Sequence, residues 1–256
     1  MPIRPRFVCD RPKKGELARV WAHSIPVELH PDISIQALTI GVERAPLLVI
    51  DNLAADPDEL VRTAAVQMFS EQSRYYPGIR ANAPLAYQEL IANRLAPIVA
   101  THFQLPAGTV HFSLCQYSLV TTPAERLQLP QRIPHVDSLP GNGLASIHYL
   151  FKRDLGGTAF YRHRKTGFEY IDEARNETYL ASLRAENLRP DTAPVGYING
   201  DTEVYQQVAR QDGLFNRMLI YRRNSLHSGC IARGFVPDPN PATGRLSINS
   251  FIDIRP

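Results

Sequence analysis

The stretch RIPHVDS, residues 132–138, lies between two strand-like runs, HFSLCQYSLV (111–120) and LASIHYLF (144–151). At its centre His135 and Asp137 stand two positions apart. Two is the side-chain repeat of an extended chain, so the imidazole and the carboxylate would leave the backbone on the same face. Such a pair is either half of a metal site or a solvent-facing salt link. A third ligand arriving from elsewhere would decide between them.

Working outward, residues from about 110 onward read as short strands rich in β-branched and aromatic side chains: TAFYRH (158–163), RMLIYRR (217–223) and RLSINSFIDI (245–254) follow the two already quoted. Turn signals separate them, at PGNG (140–143), LGG (155–157), NSLHSG (224–229) and PDPNPATG (237–244). The first half holds the better helix candidates. After the buried-strand pattern LLVIDNL (47–53), the segment AADPDELVRTAAVQMFS (54–70) offers Asp56 as N-cap, Pro57 at the first helical position and Glu59 three residues past the cap. Leu60, Val61, Ala64, Ala65 and Met68 then recur at helical spacing. A second helix is expected over 84–103, with Leu85, Leu90, Ile91, Leu95 and Ile98 as its apolar residues and Pro97 bending or breaking it. Further helices are expected over 172–186 and near 200–212 (GDTEVYQQVARQD).

Helices first and strands after predict an α+β chain, mainly β, with a sandwich or barrel flanked by N-terminal helices. The expected organisation is a single domain over 1–256. It has a basic arm at 1–20, N-terminal strands and supporting helices at 21–109, and a barrel core at 110–256.

Composition narrows the function classes. The net charge of +3 is too small to argue for nucleic acid, and 44% hydrophobic with 21% charged residues is ordinary for a soluble globular protein. Much of the excess is local, since Arg4, Arg6, Arg11, Lys13, Lys14 and Arg19 face only Asp10 and Glu16. A solvated terminus explains this more simply than an arm for an acidic partner. Cys9, Cys115 and Cys230 form no C-x-x-C pair, which argues against a thiolate zinc site and a disulfide scaffold. The opening MPIRPRFVCD lacks the apolar run of a signal peptide, and no window approaches the about 18 apolar residues of a membrane span. A soluble, cytoplasmic protein is expected.

The third ligand has a candidate in His227, in YRRNSLHSG (221–229), between a strand and a glycine turn. Two histidines and one carboxylate make the facial triad of non-haem iron enzymes. A lone H-x-D is weak evidence, and the chain holds a second one, His30-Pro31-Asp32, which reads as a turn. What surrounds His135 and Asp137 is more specific. ASIHYLF, GGTAFY, MLIYRRNSLHSG and GRLSINSF follow in an order and spacing that resembles the Fe(II)- and 2-oxoglutarate-dependent dioxygenase superfamily, in particular its prolyl-hydroxylase-like branch. The resemblance spans about residues 110–254.

The resemblance implies a double-stranded β-helix, or jelly-roll, core in which His135, Asp137 and His227 ligate Fe(II). It implies that Arg245 grips the far carboxylate of 2-oxoglutarate, helped by Ser247 two residues on, and that Tyr117 hydrogen-bonds the cosubstrate. Tyr149 and Thr158 would line the pocket. Each role has a plainer alternative: a surface arginine beside a proline-rich turn for Arg245, a core aromatic for Tyr117 and Tyr149. A register shift across the long 228–244 connection would turn Arg245 outward and make Arg233 its rival. Gly156 and Gly157 read as residues that let two strands meet closely. His148 faces away from Tyr149 and reads as structural, and His163 as exposed with Arg162, Arg164 and Lys165. The loop SRYYPGIRANAP (73–84), with Tyr75, Tyr76 and Arg80, would cover the barrel mouth and contact substrate.

The implied activity is hydroxylation of a small molecule or amino-acid side chain, using dioxygen and decarboxylating 2-oxoglutarate to succinate. The carboxylate of Asp137 argues against the halogenating members of the superfamily, which lack it. Nucleic acid and membrane are not expected partners. The alternative is a catalytically silent jelly roll that holds a metal or ligand.

Overall fold

The computed structural model describes residues 26–106, 108–187, 195–232 and 234–255. The basic arm and Arg233 lie outside them. Ten strands, β1 (Ser34–Ile40), β2 (Ala45–Asp51), β3 (Gly78–Asn82), β4 (Thr109–Val120), β5 (Leu144–Tyr149), β6 (Gly157–His163), β7 (Tyr205–Asp212), β8 (Met218–Arg222), β9 (His227–Cys230) and β10 (Leu246–Arg255), form two antiparallel sheets. The larger runs β1-β2-β8-β5-β10-β4-β3 and the smaller β7-β6-β9. A single antiparallel bridge between His135 and His227 adds the RIPHVDS segment to the smaller sheet beside β9. From β4 onward the chain visits the large sheet, the small one at 135, the large at β5, the small at β6 and β7, then large, small and large again. This is the winding of a jelly roll, which here closes over side chains of both sheets.

The two faces of the large sheet do different work. Inward, Leu47, Val49, Ala145, Ile147, Leu219 and Tyr221 pack with Phe160 of the small sheet, whose ring meets Tyr221 edge-on at 5.1 Å. Outward, Leu48, Ile50, Ile220, Ile248 and Tyr117 pack against helices. Those helices are α1 (Pro57–Ala65), α2 (Leu85–Leu90) and α3 (Ala96–His102), the last two joined through a π-turn at Ile91–Leu95. Asp56 caps α1 by accepting from the Glu59 N–H at 2.9 Å. Met68 falls past the end of α1 and is exposed. In the second helical run Tyr87, Leu90, Ile91, Leu95 and Val99 are buried, while Leu85 and Ile98 are exposed. The wider π-turn absorbs the break ahead of Pro97, which sits in the first turn of α3, where its missing N–H costs no helical bond. After the short α4 (Leu129–Arg132), α5 (Glu173–Asn187) matches the helix expected there.

The stretch near 200–212 departs from expectation. Tyr205–Asp212 is not helical but forms β7, pairing along β6 from Gly157↔Asp212 to His163↔Tyr205. Gln, Ala and Arg favour helix in isolation, yet the exposed edge of β6 offers a full ladder of backbone partners, and that context wins.

Glycines mark where the sheets close. Gly156 has φ +83°, and a Cβ there or on Gly157 would run into the Cys230 or Gln211 carbonyl oxygen. Only residues without a side chain let β6 begin so near β9 and β7.

Candidate metal centre

His135 and Asp137 reach their places through the β8–β9 connection. The His135 N–H donates to the His227 carbonyl at 2.9 Å, and the His227 N–H donates back at 3.0 Å. Two residues on, the Asp137 N–H donates to the Arg223 carbonyl at 2.7 Å. The extended backbone then points both side chains to one side, towards His227. His135 Nε2 lies 3.7 Å from Asp137 Oδ1, and His227 Nε2 lies 3.5 Å from Asp137 Oδ2. The three donor atoms lie within 4.8 Å of one another. Cis donors on one ion at about 2.1 Å bonds sit about 3 Å apart, so small side-chain rotations bring all three onto a single ion.

The protonation pattern suits this. His227 Nδ1 faces the Ser225 carbonyl at 2.9 Å, an atom that only accepts, so Nδ1 carries the proton and Nε2 presents its lone pair towards Asp137. The Tyr221 ring, 4.7 Å away, holds that imidazole from the side. About half of the His135 side chain (49%) is accessible, but it opens onto the cavity described next. Loss of hydration at the ring, with the charges of His227 and Arg80 adding to it and Asp137 opposing, pushes the His135 pKa down to about 4. The His135 ring is therefore available as a neutral ligand at neutral pH.

A cavity of about 750 Å³ opens over the triad. Its walls include Arg245, Ser247, Asn249 and Phe251, alternate residues running from the start of β10 along one face of that strand. The expected register therefore holds, and Arg245 faces the cavity rather than solvent. It is 3% exposed, and its guanidinium donates from Nε to the Leu155 carbonyl (2.9 Å) and from Nη2 to the Gly157 carbonyl (2.8 Å). Nη1 makes no hydrogen bond within the described residues. Ser247 donates to Asn249 Oδ1 at 2.8 Å.

The other expected site residues separate. Tyr117 pairs with Ile248 across the β4–β10 ladder and shares its outward face, so its side chain lies among the helix-side core residues and not in the cavity. Strand parity is the reason: Gln116, one position back, lines the cavity instead. Tyr149 is buried between the sheets, bonded to the Thr158 hydroxyl at 2.7 Å, and of the two only Thr158 reaches the cavity wall. Tyr75, Tyr76 and Arg80 all line the cavity, on a loop whose ends are tied by paired Ser70 and Arg80 backbone bonds of 3.0 and 2.9 Å.

His148 is fully buried and bonded to Asn216 Oδ1 at 3.1 Å. His163, expected at the surface, is also fully buried, held by Thr166 (2.8 Å) and Glu186 (2.7 Å), and its neighbour Arg162 pairs with Glu169. The second H-x-D is a turn in which the Asp32 N–H donates to His30 Nδ1 at 3.0 Å. Tyr197, which lines the cavity and donates to the Thr122 carbonyl at 2.6 Å, was not legible as a site residue, because nothing in YING distinguishes it.

Residues 31–252 match the model of a family of unknown function, DUF6445. The chain belongs to that family. No curated protein matches the sequence. Among solved structures, the epimerase SnoN in complex with Fe3+, alpha ketoglutarate and nogalamycin RO is similar at 13% identity and TM-score 0.46, over 84% of this chain and 83% of that one. HygX from Streptomyces hygroscopicus, with nickel, 2-oxoglutarate and hygromycin B bound, is similar at 8% identity and TM-score 0.45, over 83% and 84%. A Pseudomonas putida prolyl-4-hydroxylase is similar at 10% identity and TM-score 0.32, over 78% of this chain and all (100%) of that one.

Proposed function

We propose that this protein is a non-haem Fe(II)- and 2-oxoglutarate-dependent oxygenase acting on a small molecule or an amino-acid side chain. The observation that carries the reading is the convergence of His135, Asp137 and His227 on one point of a cavity wall that also presents a buried arginine. Two nitrogens and one carboxylate oxygen suit Fe(II) and leave half of an octahedron for other ligands. When bound, iron would activate dioxygen, one oxygen atom of which would enter succinate as 2-oxoglutarate loses carbon dioxide and the other the substrate.

The chain's own residues do the rest. His227, fixed by Ser225, and His135, fixed by its backbone bridge, hold their rings ready. Arg245, its Nε and Nη2 occupied by carbonyls, keeps Nη1 for the far carboxylate of 2-oxoglutarate. Asn249, Ser247 and Thr158 line the wall between polar and apolar regions. The buried inter-sheet residues keep water from the rear of the site.

The test is an anaerobic titration with Fe(II) and 2-oxoglutarate, read by the weak visible charge-transfer band of the chelate. Wild type is expected to develop the band and His135→Ala to lack it. Arg245→Ala is expected to weaken 2-oxoglutarate binding about 10- to 100-fold, the worth of a charge-assisted hydrogen bond, with little change in iron affinity. A band retained at wild-type strength in His135→Ala rejects the ligand assignment.

A further inference from the structure

The same cavity holds a second guanidinium that forms no direct ion pair with the described residues. Arg80 sits on β3 opposite Ser118, with its guanidinium 4.2 Å over the Tyr76 ring. It makes no side-chain hydrogen bond and no ion pair within the described residues, and its Nε is buried without a partner. The Tyr76 ring and the charge of Asp137 offset only part of the hydration this half-buried cation gives up, so an anion meeting it would be stabilising. Burial pushes its pKa down from the ordinary value. Arg80 is near enough to Asp137 and His135 to influence both, so whatever it binds lies close to the triad.

Charge balance identifies the missing group. Among the described residues Asp137 is the sole carboxylate on the cavity wall, against Arg80 and Arg245. On the reading proposed above, Fe(II) and doubly ionised 2-oxoglutarate cancel, and Asp137 offsets one guanidinium. One positive charge is left over, and Arg245 is the guanidinium whose free nitrogen serves the cosubstrate. Among the described lining residues no acid remains to receive a substrate ammonium. Tyr75, Tyr76, Leu114 and Phe251 give the cavity wall aromatic and apolar surface, interspersed with Gln72 and Gln116.

We infer that the cavity takes a monoanionic small molecule whose carboxylate is received by Arg80 and whose apolar body lies along these side chains. The inference rests on the oxygenase reading for its charge count, but the unpaired Arg80 stands without it.

The test uses the full chain and matched probes: phenylacetate, phenylacetamide and phenethylamine, which share a body and differ in charge. Binding is followed by calorimetry, with and without anaerobic Fe(II) and 2-oxoglutarate. Phenylacetate is expected to bind at least about tenfold more tightly than the amide, and the amine more weakly still. Arg80→Gln is expected to lose that preference while developing the charge-transfer band at wild-type 2-oxoglutarate concentrations, and Arg80→Lys to regain part of it.

Equal binding or equal failure of the three probes overturns the inference, as does an unchanged preference in Arg80→Gln. If Arg80→Gln instead loses 2-oxoglutarate affinity as Arg245→Ala does, Arg80 serves the cosubstrate and the inference also fails. Failure of the oxygenase reading looks different: no band in wild type, with the probe preference still tied to Arg80.

Discussion

Single residues show how one atom's surroundings decide its chemistry. His148, one position from the cavity-side strand face, is fully buried, stacked on Tyr87 at 5.7 Å and bonded through Nε2 to Asn216, while its Nδ1 has no partner. Burial pushes its pKa down to about 4. The folded protein thus holds a neutral ring that the unfolded chain would protonate below about pH 6.5. The sign follows directly: the contribution is complete above that pH and is lost as pH falls towards 4, about 3 kcal/mol in all. His148→Gln, which can still donate to Asn216, is expected to flatten the fall in denaturant stability between pH 6.5 and 4. An equally steep fall in that variant would place the acid sensitivity elsewhere. The same scale explains what was legible at the site. His135, Asp137, His227, Arg245 and Ser247 carry distinctive chemistry in distinctive spacing. Tyr117 was misplaced because LCQYSLV sets Leu114, Gln116, Ser118 and Val120 on one face and Cys115, Tyr117 and Leu119 on the other, and a polar tyrosine hydroxyl does not by itself say which face meets the cavity.

Elements reveal where local preference yields to context. The Asp56 cap and Pro57 announce α1, since both act through their own backbone neighbours. β7 reads as a helix until β6 is in place beside it, because its partner lies 49 residues earlier (Phe160↔Ala209). Gly156 joins these levels: its positive φ and the nearby Cys230 carbonyl set the spacing of β6 from β9, the strand that begins at His227. Gly156→Ala is expected to cost at least about 2 kcal/mol, read as a lower urea midpoint at unchanged slope. Gly229→Ala provides the comparison, since a Cβ there would meet only Ile231 side-chain atoms at 3.9 Å. Equal effects of the two substitutions would remove the close-approach explanation.

For the whole molecule, the triad spans two connections: His135 and Asp137 lie before β5, and His227 opens β9 after four further strands. An ion held by all three therefore ties the 132–138 segment to the small sheet and stabilises the native state by mass action. Metal at about 100-fold over its dissociation constant contributes about 2.7 kcal/mol. For a chain of this size that raises Tm by about 5–10 °C. Wild type is expected to show such a rise with anaerobic Fe(II), and Asp137→Ala to show little; identical rises would mean the metal binds elsewhere. Sequence alone determined the candidate ligand set, the mainly β class, the first helix and its cap, because each depends on residue chemistry or on neighbours within a turn. Tertiary structure decided that β7 is a strand, that Tyr117 and His163 are buried away from the cavity, and that Arg80 lies close to the triad. Those outcomes depend on which distant strands pair and in what register, and pairing across tens of residues leaves no local trace for a sequence to display.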